Sequence, residues 1–290
     1  MNAIAETELI ITKDKKIYHL NLSENEIADN IILVGDQDRV KLISSKFDFI
    51  EHKIQNREFI THTGVLNNRR ISAISTGIGT DNIDIVVNEL DALVNIDFET
   101  RTHRKNRKSL NLIRLGTSGA LQSNIDIDSF ITSAYGLGLD NLAHFYNDKK
   151  NIIDLNMSKL FSEHAKWPKE LSSPYIVKAS EDLLKLFSEF NTGITATAPG
   201  FYGPQARKIR LSPSISDLNN TISSFSFKEF KVTNFEMETS ALYFLGRSLG
   251  HNTLTICAII GNRFNKSYSK DHRKPIAELI EIVLEKICTI

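Results

Sequence analysis

The sequence predicts an α/β fold, in which a largely parallel or mixed sheet is covered by helices on both faces. Three observations carry that expectation. Short β-rich runs alternate with amphipathic stretches, those stretches repeat their apolar residues at helical spacing, and no Pro-, Gly- or Ser-rich linker or internal repeat divides the 290 residues. The chain therefore reads as one domain, 1–290, interrupted by a basic insertion at 99–109.

Strands are expected at Ile31 to Val34, Ile71 to Ser75, Leu110 to Leu115, Phe130 to Ala134, Gly193 to Thr197 and Thr253 to Ile260, each rich in β-branched or aliphatic residues. Helices follow most of them. From Asp81 to Val94 the spacing sets Ile83, Val86, Val87, Leu90 and Val94 on one face, and Ile276 to Ile287 repeats that period after the last strand. The insertion, ETRTHRKNRKS from Glu99 to Ser109, is basic and has no periodicity. It reads as a solvated loop in preference to a nucleic-acid arm. The stretch from Asn147 to Pro174 is mixed and supports no assignment.

Composition narrows the function. With 41% hydrophobic and 24% charged residues the chain can bury a large core. Lys plus Arg number 35 and Asp plus Glu number 35, so no net positive field would collect nucleic acid or an anionic membrane, and any anion site has to be built locally. Cys257 and Cys288 lie in apolar stretches, as expected of reduced, buried thiols. The start, MNAIAETELIITKDKK, has no basic segment leading into an apolar core, and the expected location is the cytoplasm. The eight histidines form no H-x-x-x-H, H-E-x-x-H or Cys/His cluster, so no metal is expected.

Five segments could carry chemistry. In LVGDQDRV, Leu33 to Val40, an apolar strand ends at Gly35 and a helix begins after Asp36. That junction aims N–H groups and a helix dipole at an anion, with Arg39 one turn in, though an ordinary capped turn reads the same way. In STGIGTDN, Ser75 to Asn82, Gly77 and Gly79 begin a dinucleotide fingerprint that fails at Asn82, which disfavours a nicotinamide enzyme and leaves a tight turn as the plainer reading. LIRLGTSGAL, Leu112 to Leu121, places Arg114 inside an apolar strand, where burial demands either a bound anion or a buried carboxylate as its partner. TNFEMETSAL, Thr233 to Leu242, sets Glu236 and Glu238 around Met237 at a strand-to-helix change. The pair suits a metal, acid and base work or the vicinal hydroxyls of a sugar, and equally an acidic helix start. FYGPQARK, Phe201 to Lys208, offers a ring for stacking, a Gln205 amide that donates and accepts, and Arg207 as a donor, a set that matches the edge of a uracil.

Taken in order, GDQDRV, REF, STGIG, IRLGTSGA, FYGPQAR, NFEMETSAL and AIIGNR resemble the landmarks of the uridine phosphorylase branch of the nucleoside phosphorylase family, from about Tyr18 to Arg263. The resemblance implies a three-layer α/β/α fold with a mixed central sheet. It implies a homodimer at least, with a hexamer made of dimers as the larger form, and an active site completed by a neighbouring subunit. Inorganic phosphate is then the co-substrate and no cofactor is needed. On the matching positions Gly35, Arg39, Arg114 and Thr117 would hold phosphate, and Arg57 would reach the neighbour's phosphate. Glu236, Met237 and Glu238 would contact ribose, with His19 crossing from the other subunit. Phe201, Gln205 and Arg207 would receive the base, walled by Ile260 and Tyr18, and Arg114, Gln205 and Arg207 would carry the chemistry.

The implied activity is phosphorolysis of a pyrimidine nucleoside, uridine first, to free base and (deoxy)ribose 1-phosphate. Purine phosphorolysis, hydrolysis within the same family and a non-catalytic nucleoside-binding module are the alternatives. Purine-cleaving relatives commonly place an aspartate where this chain has Asn262, and the retained Arg39, Arg57 and Arg114 speak against hydrolysis. Gln37 stands where the branch usually has proline, and its usual P-G is inverted as Gly203 and Pro204. Substitution of Arg114 by alanine is expected to reduce turnover severely and to leave the fold largely intact.

Overall fold

Ile31 to Val34 are fully buried at four successive positions, which a strand achieves only when both faces of its sheet are covered. The computed structural model describes residues 3–147 and 151–290, so Met1 and Asn2 of the expected start, and 148–150 of the unassigned stretch, lie outside the described residues. The strands of the first half are β1 (Asn30–Val34), β2 (Phe49–Asn56), β3 (Phe59–Leu66), β4 (Arg69–Ser75), β5 (Ile96–Asp97), β6 (Thr102–His103) and β7 (Asn111–Ala120). Those of the second half are β8 (Phe130–Gly138), β9 (Tyr175–Lys178), β10 (Asn191–Thr197), β11 (Ser226–Phe227), β12 (Phe230–Glu236), β13 (Asn252–Asn262) and β14 (Ser267–Tyr268). Helices α1 (Gln37–Ser44), α2 (Thr80–Asn95), α3 (Leu155–His164), α4 (Glu181–Leu186), α5 (Leu218–Ser223), α6 (Thr239–Ser248) and α7 (Arg273–Ile287) connect them.

Twelve strands form one mixed sheet in the order β11-β12-β10-β8-β13-β7-β1-β4-β3-β2, with β9 beside β8 and β14 beside β13. The run β4-β1-β7-β13 is parallel and β10 runs parallel to both β8 and β12. The sheet curls until β12 also pairs antiparallel with β7, through Asn234 opposite Ala120 and Phe235 opposite Gly119. Strands β7, β13, β8, β10 and β12 therefore close on themselves. The larger core joins β1, β4 and β7 to the apolar faces of α2, α6 and α7, and a smaller one packs Met157 and Phe161 of α3 and Leu218 and Ile222 of α5 against β8, β10 and β12. This is the three-layer α/β/α arrangement with a mixed central sheet.

Two sequence expectations change. Strand β7 does not stop at Leu115: it continues through Gly116, Thr117, Ser118 and Gly119 to Ala120, since β13 and β12 supply partners on both sides. The basic stretch at 99–109 does not stand away from the fold. Thr102 and His103 pair with Ile96 and Asp97, Arg101 donates to the carbonyls of Ile4, Ala5 and Leu9, Arg104 grips Glu24 at 2.6 and 2.8 Å, and Lys108 lies 2.6 Å from Asp29. Arg101, Arg104 and Lys108 thus hold the N-terminal segment, while most of the stretch stays exposed to solvent. Within the unassigned stretch α3 forms, capped by Asp154, which accepts from Met157 N–H at 2.9 Å. Among the described residues no helix is long and apolar enough to cross a membrane.

Candidate active site

The ends of β1, β7, β12 and β13 open into a cleft of about 720 Å³, within the range of small-molecule sites. Four of the five sequence segments meet there. Gly35, Arg39, Arg114, Thr117, Phe201, Gln205, Arg207, Glu236, Met237, Glu238 and Ile260 all line it. From the glycine segment at Ser75 to Asn82 only Ile78 reaches the wall.

At one end, β1 stops at Val34 because Gly35 turns the chain, and α1 begins under a cap in which Asp36 accepts from Asp38 N–H at 3.0 Å. Arg39 then sits on the first turn of α1, facing Arg114. Burial and the nearby Arg114 charge both lower the pKa of Arg39, and among the described residues no carboxylate lies within ion-pair distance of it. A cation so placed wants an anion.

Arg114 already has carboxylate partners. It is 5% exposed, its Nη1 lies 3.0 Å from Glu236 and its Nη2 bonds Glu238. Of the two sequence readings of Arg114, the buried carboxylate is the one observed, and the same side chain also lines the cleft. Burial opposes its charge, but Glu238 and Glu236 outweigh that and hold its pKa above the ordinary arginine value. Gly116 makes the arrangement possible. It shares a face of β7 with Arg114, and a β-carbon there would collide with Arg114 Nη1 and Cys257 Sγ.

The two glutamates divide their work. Glu236 closes β12 and accepts from Thr197 Oγ1 at 2.7 Å, Glu238 N–H at 2.9 Å and Thr239 N–H at 3.0 and 3.1 Å, so its lone pairs are largely committed to starting α6. Glu238 accepts only from Gly79 N–H, at 2.7 Å, and from Arg114, which leaves acceptor capacity toward the cleft. The glycine turn therefore serves Glu238. Burial, with Glu236 beside it, pushes the Glu238 carboxyl up to about 7 against the pull of Arg114.

That shift has a sign. Between the ordinary value of 4.5 and about 7 the folded chain keeps a proton the unfolded chain has released, so this group's contribution to stability falls as pH rises through that window and is flat above it. At about 1.4 kcal/mol per pH unit the whole effect is at most on the order of 3 kcal/mol. Denaturant midpoints of the wild type and Glu238→Gln, compared from pH 4.5 to 8, should diverge in this way, and parallel curves would show that Glu238 ionises normally.

At the other end, the loop after β10 makes a short 3₁₀ turn, Gly203–Gln205, with Pro204 inside it and Ala206 in the left-handed region. The turn brings three side chains together. Arg207 stacks over the Phe201 ring at 3.7 Å and donates from Nη1 to Gln205 Oε1 and to the Phe201 carbonyl, both at 2.6 Å. With the Gly-Pro pair inverted, Gln205 and Arg207 still line the cleft. Burial, and then the charge of Arg263, lowers the Arg207 pKa to about 10.

Arg263 is a site residue that the sequence reading left without a role. It lines the cleft beyond β13, its stem lies 3.8 Å from where a β-carbon on Gly119 would stand, and its Nη1 is buried with no hydrogen-bond partner. An arginine following a strand whose neighbouring strand end carries glycine was the available signal. Lys266, Ser267 and Tyr268, on the hairpin formed by β14, complete this wall. Asn262 has no capacity to spare: it donates to the Gln122 and Ile125 carbonyls at 2.9 and 2.8 Å and accepts from Phe264 and Asn265 N–H at 2.9 and 3.0 Å.

His19, Arg57 and Tyr18 are not in this cleft. They form a separate surface group, where His19 Nδ1 lies 2.6 Å from Glu89, Arg57 lies 5.5 Å from the Tyr18 ring and Asn56 donates to the His19 carbonyl at 2.8 Å. Among the described residues no three His, Cys, Asp or Glu side chains are placed to hold a metal ion.

Comparison with known proteins places the chain that carries this strand-end cleft in a family. The chain belongs to the phosphorylase superfamily, whose model matches residues 29–288. It is an enzyme of the pentosyltransferase class. It is 28% identical to a uridine phosphorylase of Thermococcus kodakarensis over 94% of this chain and 89% of that one, and 26% identical to a DeoD-type purine nucleoside phosphorylase of Clostridium perfringens over 94% and 99%. A crystal structure of a Trypanosoma brucei nucleoside phosphorylase, described as showing uridine phosphorylase activity, superposes with a TM-score of 0.86 at 27% identity, covering 97% of this chain and all of that one.

Proposed function

We propose that this enzyme cleaves a pyrimidine nucleoside, uridine before others, with inorganic phosphate, giving the free base and (deoxy)ribose 1-phosphate. The groups that share the cleft carry this reading: Gly35, Arg39, Arg114 and Thr117 from β1, α1 and β7, Met237 and Glu238 from the start of α6, Phe201, Gln205 and Arg207 from the loop after β10, and Ile260 from β13. A phosphate oxygen attacks the anomeric carbon while the bond to N1 breaks and its electron pair stays with the base. The sugar becomes cationic and the base anionic. Phosphate beneath the sugar stabilises the first charge, and Arg207 with Gln205 the second, while Glu238 accepts from ribose hydroxyls. Phosphate is itself the nucleophile, so the arginines act by holding and orienting it, and no deprotonated side chain is required.

The pyrimidine preference rests on two features. An amide at Asn262 has no acidic proton for a purine ring nitrogen, and its four hydrogen bonds tie it to the backbone. Gln205 and Arg207 present an acceptor and a cationic donor side by side, the pairing that an N–H flanked by carbonyls needs. A second copy of the chain belongs to the same proposal. His19, Arg57 and Tyr18 then act in the neighbour's cleft, which their absence from the lining of their own supports.

A panel of uridine, 2′-deoxyuridine, thymidine, inosine and adenosine, each with and without phosphate, tests this directly. Uracil release that depends on phosphate is the expected result. Turnover unchanged without phosphate would mean hydrolysis, faster loss of the purine nucleosides would reverse the base assignment, and tight uridine binding without product would make the chain a binding module.

A further inference from the structure

Behind Glu236 lies a chain of buried polar groups, Thr197, Ser240, Asp140 and Tyr175, none of which lines this cleft. Thr197, the last residue of β10, is fully buried and does not line the cleft. Its Oγ1 accepts from Ser240 N–H at 2.9 Å and donates to Glu236 Oε1 at 2.7 Å. Glu236 Oε2 faces Arg114 Nη1 at 3.0 Å. We propose that Thr197 is a positioning residue for phosphate: its hydroxyl fixes the Glu236 carboxylate, and Glu236 fixes the guanidinium of Arg114 at the phosphate end of the cleft. This rests on the phosphate assignment made above for Arg114.

The direction of each bond supports it. A threonine hydroxyl has one proton, and because Ser240 N–H occupies a lone pair of Thr197, that proton is aimed at Glu236. Glu236 Oε1 otherwise receives only Thr239 N–H at 3.1 Å, a bond that the same N–H shares with Oε2 at 3.0 Å. The terminal torsion of a carboxylate is soft. Without the Thr197 proton, Oε1 keeps only the shared Thr239 N–H while Oε2 stays on Glu238 N–H at 2.9 Å, so the carboxylate plane can turn about that torsion and loosen its alignment with Arg114. The far side of the chain is equally firm: Ser240 Oγ donates to Asp140 Oδ2 at 2.7 Å, and Asp140 also accepts from the Tyr175 hydroxyl at 2.9 Å. Ser240 is therefore held from behind, which fixes the Thr197 hydroxyl that it meets.

The test compares Thr197→Val, which keeps the shape and loses the hydroxyl, with Thr197→Ser, which keeps the hydroxyl. Loss of one buried hydrogen bond of ordinary strength corresponds to about fivefold. The KM for phosphate should rise by about that factor in Thr197→Val with the KM for the nucleoside changed less than twofold, and Thr197→Ser should restore it. A folded Thr197→Val with an unchanged phosphate KM, or with both KM values raised alike, overturns the proposal, since lost stability alone lowers the active fraction without this split. Should Thr197→Val fail to fold, Glu236→Gln replaces it, and an unaltered phosphate KM there has the same meaning. A thermal shift with inorganic phosphate alone, larger in wild type than in Thr197→Val, reads the same seat without turnover. If the wild type cleaves no nucleoside yet shows that difference, the functional reading fails and the positioning role stands.

Discussion

Arg114→Ala is expected to stop turnover and to destabilise the fold by about 3–5 kcal/mol, the usual result of removing one partner from a buried ion pair. The sequence alone predicts the first effect but a largely intact fold, and the buried pairing with Glu236 and Glu238 reverses that second expectation. In the structure the guanidinium separates two carboxylates, Glu236 and Glu238, each 4% exposed, and its removal leaves like charges facing one another out of water. The two effects can be pulled apart. Adding Glu238→Gln to Arg114→Ala should recover part of the stability and none of the activity. Denaturant midpoints and steady-state rates of the single and double variants measure both. Near-normal turnover in Arg114→Ala would remove Arg114 from the phosphate site, and wild-type stability would mean that the carboxylates find another way to shed charge.

The second large effect is at the other end of the cleft. Arg207→Ala should lower kcat/KM for uridine by about 10²-fold, the scale of losing one preorganised donor to a developing anion. The loss should shrink for nucleosides whose base is more acidic, because their leaving group needs less help, and discrimination among bases should weaken. Arg263 remains nearby and limits the damage. A loss equal for all bases would assign Arg207 to binding rather than to the departing charge.

Much of this was readable before any coordinates. A charge in an apolar strand had to be answered by an opposite charge, and Arg114 was; Gly35 followed by Asp36 had to end a strand and cap a helix, and they do. What could not be read depends on pairs far apart in sequence. Thr117, Ser118 and Gly119 have the composition of a turn, yet β12 and β13 arrive from more than a hundred residues away and keep them in a strand. Glu236 and Glu238 are alike in sequence, and only Thr197 and the start of α6 on one, and Gly79 on the other, set their tasks apart. His19, Arg57 and Tyr18 carry no local mark of standing outside the cleft.

Closure of β12 onto β7 separates what is common from what can vary. The groups assigned to phosphate and ribose stand on or immediately after strand ends: Arg114 and Thr117 on β7, Glu236 closing β12, and Gly35 with Arg39 just past β1. Of those assigned to the base, Phe201, Gln205 and Arg207 hang from an excursion beyond the closed strands, the loop after β10, and Ile260 alone stands on β13. The backbone beneath the sugar is braced by pairing on both sides. A change of loop sequence can therefore refit the enzyme to another heterocycle without disturbing the frame on which the glycosidic bond is broken.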